Sequence, residues 1–196
     1  MSPNSFNTGD PIAYFLTWTT YGTWLPGDKR GWNRKGEFES LPPDSLTLES
    51  AASRLKETPF LMSTADRTIV EETISKHCEI HKWILHTLNA RTNHVHAVVT
   101  SMGYAPEAAA SQFKAWCSRK LKPRHRSRER FWTQGSSCRW LNRESELHTA
   151  IEYVAEAQDR NGIDDFFVQR ILRRISHPAD TARVEKLHSR KTGRNF

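Results

Sequence analysis

Two imidazoles one residue apart, His94 and His96, sit in the run Asn93-His94-Val95-His96-Ala97-Val98-Val99-Thr100, whose alternation and valines read as a β-strand. Side chains at i and i+2 of a strand leave the same face, roughly 6 to 7 Å apart. Two neutral imidazoles placed so can grip one divalent ion. Val95, Ala97 and Val99 point the other way and make an apolar face, while Val98 and Thr100 share the histidine face. The ordinary alternative for such a pattern is a pair of half-buried histidines without a ligand. Protonated imidazole does not bind metal, so a function that uses the ion is expected to fade as pH drops through about 6.5.

The histidine strand needs elements to hold it. Residues 83–90 (Trp-Ile-Leu-His-Thr-Leu-Asn-Ala) read as a strand, and Arg91-Thr92-Asn93 is short enough to turn it into an antiparallel hairpin with the histidine run. His86 lies on that strand in a register that sequence does not reveal. Residues 14–20 (Tyr-Phe-Leu-Thr-Trp-Thr-Thr) form a further strand. Between 22 and 62 comes a long irregular insertion rich in Gly and Pro, with Trp24, Trp32 and Phe38 and one helical turn near 48–55.

Ser63 and Asp66 have capping-box spacing and open a helix over 64–79. Pro106 opens another, with Phe113, Trp116, Cys117 and Leu121 as its buried stripe and Pro123 as its stop. A short strand over 137–141 follows. Asn142 then caps a last helix, with Glu144 and Glu146 in its first turn and Leu147, Ile151 and Val154 facing inward. Tyr153 falls beside that stripe, so its hydroxyl reaches the edge of the core. The order βαββαβα predicts an α+β fold, an antiparallel sheet with helices on one face.

Charge is segregated along the 196 residues, whose formal net charge is +7. Residues 114–130 hold eight Lys or Arg (Lys114, Arg119, Lys120, Lys122, Arg124, Arg126, Arg128, Arg130) against one acid. Residues 170–196 hold eight more, Arg170, Arg173 and Arg174 among them, against two. Two such blocks beside one candidate site suit a polyanion, because each cation set on a phosphate releases counterions. Cys78, Cys117 and Cys138 form no C-x-x-C pair, which excludes a zinc knuckle and a disulfide framework. No apolar run is long enough to span a bilayer and no leader is evident, so a cytoplasmic, membrane-free protein is expected.

Three segments in order carry a resemblance. They are Asn93-His94-Val95-His96-Ala97-Val98-Val99, Arg130-Phe131-Trp132-Thr133-Gln134-Gly135 and Ile151-Glu152-Tyr153-Val154. Together they resemble the HUH single-strand transposases that use one tyrosine, and most closely the REP-associated tyrosine transposases. The resemblance implies a ferredoxin-like, RRM-like catalytic domain over residues 1–162, followed by a basic helical tail over 163–196. It also implies a single-stranded DNA endonuclease and strand transferase acting next to a DNA hairpin. Tyr153 would be the nucleophile and form a 5′-phosphotyrosine, with Mg²⁺ or Mn²⁺ on His94 and His96.

The family's third ligand, Asn or Gln four residues after the tyrosine, falls here on Ala157. Glu156 is the choice by helical geometry and Gln158 the alternative by residue type. Lys114, Arg119, Lys120, Lys122, Arg124, Arg126, Arg128, Arg170, Arg173 and Arg174 would contact DNA, in a monomer or a homodimer. A competing expectation is a non-catalytic DNA or RNA binder on the same fold, with Trp18, Trp24 or Trp132 as stacking platforms. A weaker one is a metal phosphodiesterase that uses water in place of Tyr153.

Overall fold

Alternating β-branched and aromatic residues build four strands, and the apolar stripes between them build four helices. The chain runs β1 (Ala13–Thr19), α1 (Ser45–Ser53), α2 (Thr64–His81), β2 (Ile84–Ala90), β3 (His94–Thr100), α3 (Pro106–Leu121), β4 (Ser137–Leu141) and α4 (Glu144–Ala155). The structure, a computed structural model, describes residues 11–32 and 40–155. Phe38, Glu156, Gln158, the boundary at 162 and the expected basic tail with Arg170, Arg173 and Arg174 lie outside the described residues. Among the described residues no helix is long and apolar enough to cross a membrane.

The sheet is antiparallel throughout, in the order β2-β3-β1-β4. β3 therefore lies inside it, between the hairpin partner β2 and the first strand. The register sets His96 opposite Thr17 on one side and Asn89 on the other, with His94 opposite Thr19. Period-two alternation then divides the sheet into two chemically different faces.

Leu16, Trp18, Val95, Ala97 and Val99 form one face, almost fully buried beneath α2 and α3 through Val70, Ile74, Phe113, Cys117 and Leu121. Each such side chain contributes about 1.5–3 kcal/mol by leaving water. The other face carries the histidines at one end and Ala13, Val98 and Leu141 at the other. The apolar end receives α4 through Ala150 and Val154, with Phe15, Leu147 and Ile151 packed around them. The expected layering of helices on one face thus describes α2 and α3, while α4 crosses the face that the histidines occupy. Apolar residues on both faces of β1, β3 and β4 are the reason.

α2 opens with the expected capping box: Ser63 Oγ accepts from the Asp66 N–H at 3.2 Å, and the Asp66 carboxylate accepts from the Ser63 N–H at 3.0 Å. In α3, Trp116 departs from its expected place in the buried stripe. It sits about 90° around the helix from the middle of the stripe made by Pro106, Ala109, Ala110, Phe113, Cys117 and Leu121. It is 45% exposed, and the Arg119 guanidinium lies 4.8 Å above its ring. The described part of the insertion is pinned by its own bonds: Trp24 Nε1–H donates to Gly31 O, Trp32 Nε1–H to Pro42 O, and Arg30 pairs with buried Asp28. Gly27, at φ +85°, leaves no room for a side chain, since a Cβ there would meet Asp44 O at 2.2 Å.

Candidate active site

β3 opens the site from a fixed point. Asn93 is buried, and its main-chain carbonyl accepts from the Thr20 N–H at 2.8 Å and from the Thr20 and Thr23 hydroxyls at 3.1 and 3.2 Å. Its side-chain Oδ1 accepts from His94 Nδ1–H at 2.6 Å. A carbonyl oxygen can only accept, so this bond places the proton on Nδ1 and the lone pair on Nε2. On His96, Nδ1 lies 2.8 Å from the hydroxyl of Thr17, its cross-strand neighbour. The two rings are 4.7 Å apart and inclined at 77°.

His96 is nearly buried. Burial, followed by the nearby His94 and Arg91, pushes its pKa down to about 3, so the ring stays neutral at any ordinary pH. A fall in activity near pH 6.5 would therefore not originate at His96.

α4 brings the phenol. Ala150 and Val154 anchor the helix on the sheet, and Asn89 Nδ2–H donates to Val154 O at 3.1 Å, tying its last turn to β2. Tyr153, one residue around from Val154, is then left 46% exposed. Its ring stands 5.9 Å from that of His96 and 6.0 Å from that of Phe15, nearly perpendicular to both. Phe15 itself stacks on His96 at 5.5 Å. Tyr153, His96 and His94 thus meet within one chain.

The donor set suits a divalent ion. Imidazoles that ligate metal through Nε2 usually have Nδ1 hydrogen-bonded to an outer partner; Asn93 Oδ1 accepts from His94 Nδ1–H, and the Thr17 hydroxyl bonds His96 Nδ1. Among the described residues no three His, Cys, Asp or Glu side chains converge on one point. Glu156 and Gln158, the expected third ligands, lie outside the described residues.

The family model for IS200-like transposases matches residues 54–157, more than half of the chain, and spans His94, His96 and Tyr153. The chain belongs to this family. No curated protein sequence matches it. Among solved structures it is similar to a REP-associated tyrosine transposase bound to a REP hairpin, at 10% identity and a TM-score of 0.44, over 83% of this chain and 75% of the other. It is also similar to a transposase candidate from Deinococcus radiodurans R1, at 8% identity and a TM-score of 0.40, over 76% and 92%.

In this IS200-like transposase the basic segment 114–130 is divided between two roles. Lys114 Nζ donates to Thr133 O and Gly135 O at 2.6 and 2.7 Å, and burial lowers its pKa. Lys122 binds Arg128 O and Glu129, Arg124 reaches Asp66, and Arg128 donates to Thr58 and pairs with Glu57. These four, expected as DNA contacts, hold the connection between α3 and β4 in place. Arg119, Lys120, Arg126 and Arg130 are exposed to solvent, with Arg119 over the ring of Trp116 and Arg130 over that of Tyr21. The division depends on carbonyls and acids distant in sequence, which composition does not show.

Two further expectations change. Trp18 is 2% exposed and stacks on Phe113, so it cannot take a base, whereas Trp24 is 40% exposed. Trp132 is half-buried, with Nε1–H donating to Lys114 O and Ser118 Oγ. His86 shares a hydrogen bond with Thr100 at the far end of the hairpin from His94, away from the site. Sequence reading missed Thr17 and Phe15 as braces of the transposase site. Their alternation with buried Leu16 and Trp18 was the available signal, but only the β1–β3 register shows what they face.

Proposed function

We propose that the chain is a single-tyrosine endonuclease and strand transferase for single-stranded DNA, akin to the REP-associated enzymes and acting beside a DNA hairpin. The observation that carries this reading is the half-exposed Tyr153 phenol standing against His96 on the same chain.

The Tyr153 oxygen attacks the scissile phosphorus. A phenolic O–P bond forms, the P–O3′ bond breaks, and the departing 3′ oxygen takes up a proton. The products are a 3′-hydroxyl and DNA joined through its 5′ phosphate to Tyr153. One phosphodiester replaces another, so the bond energy remains available for attack by a second 3′-hydroxyl. His94 and His96, with Glu156 or Gln158 as candidate third ligand, would hold Mg²⁺ or Mn²⁺, which supplies Lewis-acid stabilisation of phosphate charge.

The protein's own part is positional. Phe15 and His96 brace the phenol edge-on, while Asn93 sets the His94 tautomer and Thr17 holds the His96 ring in place. Neutral His96 brings no positive charge of its own and is too weak a base to take the phenol's proton. Incubation with end-labelled single-stranded DNA and Mn²⁺ is expected to give an adduct stable to denaturation, absent in Tyr153→Phe. Free 5′ ends that persist in Tyr153→Phe would show that water is the nucleophile, and binding without any cleavage would show a non-catalytic binder.

A further inference from the structure

A groove of about 350 Å³ runs between β4 and α4 and ends at Tyr153. Phe15, Leu141 and Ala150 give it apolar walls, and Ser145 and Thr149 line its α4 side. From Ser145 to Tyr153 it follows the helix for roughly 12 Å. Arg139 stands in its β4 wall, opposite Phe15 in the strand register. Unlike Lys114, Lys122 and Arg128, Arg139 is exposed, and no hydrogen bond or ion pair among the described residues engages it. The one carboxylate in the groove, Glu146, is already used by the Asn142 N–H at 2.8 Å.

Resting on the reading of Tyr153 as nucleophile, we infer that this groove seats the nucleotide adjoining the scissile phosphate, with Arg139 binding the phosphate and Thr149 facing the base. The chemistry matches at each point. A guanidinium binds phosphate oxygens through paired N–H donors and stays charged at any working pH. Apolar walls accept the face of a base, and the Thr149 hydroxyl, whose proton goes to Ser145 O at 2.8 Å, is left to accept from a base N–H. The volume lies within the range of small-molecule sites. A cation lining the same groove as the nucleophile also stabilises the charge that develops on the phosphate during attack.

The test uses full-length Tyr153→Phe protein, which cannot cleave, and fluorescein-labelled single-stranded DNA of randomised sequence followed by anisotropy. Adding Arg139→Gln is expected to weaken binding about tenfold and to lower the slope of log affinity against log salt by about one. Adding Thr149→Trp, which fills the groove from an exposed helix position, is expected to weaken binding without changing that slope. Thermal melts establish that both variants fold. Unchanged affinity in both overturns the inference. The readout needs no covalent step. If the protein with Tyr153 intact forms no adduct while Arg139→Gln still loses binding, the groove stands and the nuclease reading falls; if it forms the adduct while both variants bind unchanged, the nuclease reading stands and the groove falls.

Discussion

The side chain of Asn93 decides which nitrogen of His94 carries the proton, while the Thr17 hydroxyl fixes the orientation of the His96 ring. Asn93→Ala is expected to weaken Mn²⁺ binding about 10- to 100-fold in titration calorimetry, the usual effect of removing an outer partner of a ligating histidine. It should also cost about 1–3 kcal/mol of stability, because a buried N–H loses its acceptor. Unchanged Mn²⁺ affinity would show that the imidazoles serve another purpose. The two tryptophans of the stacking idea separate at this scale too. Trp18→Ala should cost about 3–5 kcal/mol as a core deletion, whereas Trp24→Ala, which loses one hydrogen bond to Gly31 O, should cost only about 1 kcal/mol and lower affinity for single strands. The histidine pair was legible because i, i+2 spacing on a strand is a local rule. The hydrogen bonds that orient it were only half so: Asn93 is the next residue, but Thr17 lies 79 residues away from His96.

Among the elements, the start of α2 shows how a local signal acquires a distant use. Asp66 completes the capping box and also accepts from His125 at 2.9 Å and Arg124 at 3.3 Å, joining α2 to the basic connection. Burial alone would raise its carboxyl, but the hydrogen bonds from His125 and Ser63 outweigh this and hold its pKa below the usual value. Asp66→Ala should therefore cost about 2 kcal/mol in chemical denaturation, against about 1 for Ser63→Ala, which loses only the cap. Equal losses would mean that the bridge to the connection contributes nothing.

The boundaries of α2, α3 and β4 were readable because caps, prolines and alternation are written within a few residues. Which face α4 takes was not, since it depends on Phe15, Val98 and Leu141 from three strands coming together. The roles of Lys114 and Arg128 were hidden for the same reason: a lysine aimed at a carbonyl and one aimed at a phosphate have the same sequence.

At the scale of the whole molecule, buried imidazoles link stability to pH. Burial lowers the pKa of His77 and His86 as well as His96. A histidine whose folded pKa lies below its unfolded value near 6.5 binds its proton only on unfolding, so its share of stability is complete above 6.5 and is lost as pH falls below it. With His96 held down to about 3, that one residue removes about 1.4 kcal/mol between pH 7.5 and 5.5. Urea midpoints measured in EDTA should fall accordingly, and a flat profile would contradict the burial of these rings. The resemblance in three short segments led to the same family as the match over residues 54–157, because those segments sit on elements whose order is fixed by the fold. The measurement that reaches the central claim most directly is mass spectrometry of tryptic peptides after reaction with single-stranded DNA and Mn²⁺, followed by nuclease digestion. A nucleotide attached through its 5′ phosphate to Tyr153 is the predicted result; a modified peptide that excludes Tyr153, or cleaved DNA with no modified peptide at all, would contradict it.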